Sequence, residues 1–115
     1  MDDYSGLIDA EIIGEFESEV LNRIVPAFEK DVAKSLILLR LTAEAGDRAA
    51  FRSIAHSLAG CAGVVGARSL ERVARAAMEE RSPGSERSIC TLLQAEARRA
   101  VVALSALAGP IAGIG

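Results

Sequence analysis

The 115-residue chain has no tryptophan, one tyrosine, three phenylalanines, a single histidine and only two cysteines. Aromatic residues make up 3% and apolar residues 50%, so a core has to be aliphatic and alanine-rich, which suits closely packed helices better than a sheet. Strand signals are missing. One histidine, with no Cys-x-x-Cys and no paired inward glutamates, cannot complete a ligand set, so no metal site and no cofactor-binding bundle is expected. Positive charge is not in excess: 13 basic against 16 acidic residues leave a net charge of −3, which argues against a nucleic-acid footprint. No apolar run reaches the length of a membrane span, and the acidic start Met1-Asp2-Asp3-Tyr4 lacks the positive region of a secretory signal. A reduced, cytoplasmic protein is the expectation. No glycine-rich nucleotide loop is present, and a chain of this length leaves no room for an ATP-binding domain, against a self-sufficient kinase or dimerising phosphotransferase fragment.

What is present is helical periodicity along one domain, residues 1–115, with a core of about 9–107 and peripheral ends, including the glycine-rich tail 109–115. Leu7, Ile8, Ile12, Ile13, Phe16 and Val20 trace a short amphipathic helix starting near Asp9, expected to lie as a lid over one end of a bundle. A long helix follows over Leu21–Ala45, which Pro26 should start or kink. Gly46-Asp47 reads as a C-terminal glycine followed by the N-cap of a third helix that ends near Gly66. A fourth runs from about Ala67 to Arg81, directing Leu70, Val73, Ala74, Ala77 and Met78 inward, and Ser82-Pro83-Gly84 breaks it. Ser85 can cap a fifth, whose Ile89, Leu92, Leu93, Ala97, Ala100, Val101, Leu104 and Leu107 form a long apolar face. Short turns between four long helices predict an antiparallel up-and-down four-helix bundle with a short extra N-terminal helix. The run Ser35–Leu41 has more apolar residues than one stripe needs, and burial under the first helix or, as the lesser option, self-association would account for it.

His56 departs from this apolar patterning. At about 100° per residue, Phe51, Ile54, Ala55, Leu58, Ala62 and Val65 share one stripe, and the imidazole points about 150° from its centre. Around it stand Arg52, Ser53, Ala59, Gly60 and Gly63 at the spacings that make helix neighbours. By itself, an exposed histidine is as readily an idle surface residue as a reactive one. The two glycines cost roughly 2 kcal/mol of helix preference relative to alanine. They either clear the approach of a partner or serve a close helix contact.

The run His56-Ser57-Leu58-Ala59-Gly60-Cys61-Ala62, followed by Gly66-Ala67 and Leu70, resembles the signature of histidine-containing phosphotransfer (HPt) domains, His-x-Leu-Lys-Gly-small-small with a later Gly-Ala and Leu. Ala59 stands where that signature has lysine. The resemblance implies an all-α bundle whose His56 accepts a phosphoryl group from an aspartyl phosphate on one receiver domain and passes it to another. Partners would be response-regulator receiver domains, a hybrid histidine kinase, or both. No cofactor is implied on this chain, since Mg²⁺ would belong to the receiver, and a monomer is expected. In the family the lysine helps to hold the phosphate, so Ala59 bears on the lifetime of phosphohistidine. Arg52, one turn before His56, is either a substitute phosphate-facing cation or a solvated arginine, and Arg68, Arg72 and Arg75 either add positive potential or form an ordinary solvated face. Ser53, Ala59, Gly60 and Gly63 complete the expected partner-facing surface. The alternative within this fold is an HPt-like adaptor that docks receiver domains without efficient phosphotransfer.

Overall fold

The computed structural model describes residues 8–14, 18–79 and 86–108, all of whose regular structure is helical: α1 (Ala10–Gly14), α2 (Ser18–Ala45), α3 (Arg48–Val64), α4 (Arg68–Glu79) and α5 (Glu86–Ala108). The expected contributions of Leu7 and Phe16, the break at Ser82-Pro83-Gly84, the Ser85 cap and the tail 109–115 lie outside the described residues.

Local chemistry explains the boundaries. Asp9 accepts the amide hydrogens of Glu11 (3.0 Å) and Ile12 (3.4 Å) through Oδ1 and so starts α1. Gly46 closes α2 in the left-handed region, φ +71°. Asp47 then accepts the Ala50 amide at 3.1 Å and caps α3. Two expectations are corrected here. Val20 belongs to α2, which begins at Ser18, and Pro26 lies inside that helix instead of starting it. Pro26 is exposed, so its ring, which cannot donate to the carbonyl one turn back, takes no place in the core.

α2 packs on α3 and α5, and α4 packs on the same two, so the four long helices enclose one core. Its largest fully buried side chains are Leu39, Leu58, Leu70, Leu93 and Leu104, and the rest of the interior is largely alanine, among it Ala55, Ala59, Ala62, Ala74, Ala97 and Ala100. Leu92 and Leu107, expected inward on α5, are exposed. So are Ile37 (62%) and Leu41 (55%), with Leu38 beside them. α1 does not cover this run, because it is fastened elsewhere: the Asp9 amide donates to the Gly66 carbonyl at 2.7 Å, and Arg68 donates to Asp9 Oδ2 from Nη2 (2.6 Å) and Nε (3.1 Å). The Arg68 hydrogen bond, aided by the backbone donors of the cap, holds the Asp9 carboxyl below its ordinary value of 3.8. A depressed carboxyl contributes stability above that ordinary value and loses it as pH falls through the lowered one, so this fastening weakens on the acid side of the ordinary value.

Gly66 sits at the joint. Its φ is +75°, and a β-carbon there would stand 3.2 Å from the Asp9 carbonyl oxygen and 3.3 Å from Ile12 Cβ. Gly66→Ala is therefore expected to cost about 1–2 kcal/mol for the left-handed backbone alone, and to push α1 away as well. A thermal melt checks the first effect. Hydrogen exchange at the Asp9 amide checks the second, and an unchanged melt and exchange rate would show that the turn relaxes without strain.

Candidate functional site

α3 carries the site. His56 lies midway along it and is exposed, and no described hydrogen bond or ion pair engages its ring. Arg52, Ser53 and Gly60 are exposed beside it. Arg52 likewise has no carboxylate partner among the described residues.

The two glycines differ. A β-carbon on Gly60 would meet nothing within 4 Å, so helix packing gives no reason for its bareness. Gly63 is half-buried, and a β-carbon there would stand 3.1 Å from Glu71 Oε2. Expected to face a partner, Gly63 instead lies under a carboxylate from α4.

Ala59 is a second correction. Expected on the partner-facing surface, it has no exposed area. The buried set of α3 is Phe51, Ala55, Leu58, Ala59 and Ala62. Because α3 packs on both α2 and α4, the buried arc is wider than the stripe of large apolar residues and takes in the small one at 59. His56 remains outside that arc. Ala59→Lys, which would restore the HPt signature, is consequently expected to cost about 1–3 kcal/mol by overfilling the seam. An unchanged melting temperature would show that the lysine stem escapes along the surface.

The arginines of α4 are engaged locally. Arg68 holds Asp9 and Arg75 holds Glu71 at 2.9 Å, while Arg72 reaches Ser69 at 3.2 Å. Nothing in the pattern around His56 points to Glu71, although its i,i+4 spacing to Arg75 is the usual sign of a helix-surface pair. Cys61 is half-buried against the core, and burial, with Asp31 nearby, pushes its thiol above the ordinary range. Cys90 is buried and both cysteines are free. Neither is a candidate nucleophile.

Among the described residues, a helical bundle holds one unengaged imidazole outward, with a bare residue one turn beyond it. A family model described as Hpt domain matches residues 12–106, and the chain belongs to that family. No curated protein and no solved structure matches it. Membership gives the chain a general role in phosphorelay histidine phosphotransfer, as a carrier of phosphoryl groups instead of a classical enzyme, in a family whose partners are receiver domains and histidine kinases. Among the described residues no helix is long and apolar enough to cross a membrane.

Proposed function

We propose that this chain is a single-domain, monomeric, cytoplasmic phosphohistidine carrier built as an antiparallel up-and-down bundle. His56 accepts a phosphoryl group from the aspartyl phosphate of one receiver domain and delivers it to another. The observation that carries this reading is the exposed, unengaged His56 ring beside the open space over Gly60.

A ring nitrogen attacks the phosphorus, the P–O bond to the aspartate breaks, and the carboxylate leaves as the N–P bond forms. The imidazole is itself the nucleophile and divides the transfer into two steps. In-line geometry and charge neutralisation, including any Mg²⁺, fall to the receiver domain. On this chain Arg52 and Ser53 precede His56 by one turn of α3 and are exposed, and an arginine at that spacing suits phosphate oxygens.

The test is incubation with a ³²P-phosphorylated receiver domain, reading acid-labile label on this chain and its passage to a second receiver. The adaptor reading is favoured by one observation, the apolar and buried Ala59. Receiver binding without label would support it and overturn the carrier.

A further inference from the structure

α2 and α5 leave an apolar groove of about 360 Å³ between them, lined by the buried or half-buried Val32, Leu36, Ala97 and Val101 and by the exposed Val102 and Arg98. Val102 is 62% exposed. The register of the two helices follows from what they share. Arg40 donates to Gln94 Oε1 at 3.1 Å across the seam, and a second cleft joins Arg40 and Ala43 to Arg87 and Cys90. The first groove joins lower numbers of α2 to higher numbers of α5, so numbers rise along α5 as they fall along α2. Continued at the same rise, this register brings Asn22 level with the end of α5 at Ala108. Asn22 stands seven residues before Glu29, which lines the groove, and so lies on the same side of α2. Its Oδ1 is buried with no hydrogen-bond partner among the described residues, a costly state for an amide oxygen. Beyond Ala108, outside the described residues, the sequence continues Gly109-Pro110-Ile111-Ala112-Gly113-Ile114-Gly115. α5 thus forms one wall of the groove and delivers this segment to its end.

We infer that residues 109–115 turn back and occupy the groove between α2 and α5. Glycine just past a helix, with proline after it, suits a chain that leaves the helix sharply. With Gly109 and Pro110 used in the reversal, the five residues that follow span at most about 17 Å. That is the rise of about eleven residues of α5, which leads from Ala108 back to Ala97. At three residues per turn, the polyproline II period, Ile111 and Ile114 share one face about 9 Å apart, so both side chains enter the groove together. Asn22 Oδ1 accepts the amide hydrogen of Gly109 or Ile111, since Pro110 has none. Tethering favours this occupant over a second copy or another protein, because α5 holds the segment at the groove at high effective concentration. α3 contributes no residue to the groove, so the inference is independent of the chemistry at His56.

The full chain is compared with an Ile111→Ser, Ile114→Ser double variant, with Val102→Asp, and with a chain stopped after Ala108, with and without Val102→Asp. In the full chain, methyl nuclear Overhauser contacts are expected between Ile114 and both Val101 and Val102. The serine variant should lower the melting temperature by about 4 °C. Val102→Asp on an uncovered surface would change stability little. Under a docked segment it should lower the melting temperature of the full chain to a similar extent and leave that of the stopped chain unchanged, because truncation and substitution remove one and the same contact. Missing methyl contacts with an unaltered melt of the serine variant overturn the inference. So does an equal loss of stability from Val102→Asp in the full and the stopped chain. Methyl contacts that arise only between differently labelled copies in a mixed sample assign the groove to a second copy and overturn it as well.

Discussion

Replacing His56 with glutamine is expected to abolish acid-labile phosphorylation of the chain while leaving its helical signal and thermal midpoint in place. The two halves of this result have separate causes. His56 is exposed and unengaged, and surface substitutions away from caps, packing and charge networks usually change stability by less than about 0.5 kcal/mol. Glutamine preserves a polar, helix-compatible side chain but offers an amide nitrogen whose lone pair is delocalised into the carbonyl, so it cannot attack phosphorus. The measurement pairs a transfer assay from a labelled receiver domain with circular dichroism. Label that persists would move the reactive site away from α3, and loss of label with loss of helix would leave a folding defect as its cause.

Gly60→Gln is expected to raise stability and impair function together. A β-carbon at 60 meets nothing within 4 Å, and Gly60 is not among the glycines with positive φ, Gly46 and Gly66. The substitution therefore relieves a helix penalty of up to about 1 kcal/mol without a clash. The new side chain projects one turn beyond His56, into the space through which a receiver's active-site loops approach the ring. A misplacement of the reacting groups by about 1 Å can slow transfer on the order of a hundredfold. A higher melting temperature with slowed transfer separates access from packing. Undiminished transfer would show that the docking face lies off this side of α3.

Much of this architecture is legible in the sequence because it is decided locally. Asp9 and Asp47 accept amides two and three residues on, and Gly46 takes up the left-handed conformation where a helix has to stop. His56 is legible as exposed because even the widened buried arc does not reach it. What escaped depends on neighbours remote in sequence. The depth of Ala59 is set by α3 packing on two helices at once, and a stripe traced through large apolar residues does not register an alanine at its margin. Ile37, Leu38 and Leu41 look like core by composition, yet α1 is drawn to Gly66 and leaves them exposed. Gly63 and Gly60 are indistinguishable in sequence, and only the arrival of Glu71 from α4 gives one a packing contact and leaves the other open.

The fastening of α1 has a kinetic corollary. The Gly66 carbonyl becomes available to Asp9 only after α3 has ended and the chain has turned into α4, and the Asp9–Arg68 pair spans 59 residues of sequence. Contacts across such a separation close a long loop, with an entropic cost that grows as the logarithm of its length, whereas the turns joining α2 to α3 and α3 to α4 bring near neighbours together and form early. α1 is thus expected to act as a latch that closes late in folding and opens locally while the four long helices stay assembled, which faster hydrogen exchange at the Asp9 amide than in the core of α3 would show.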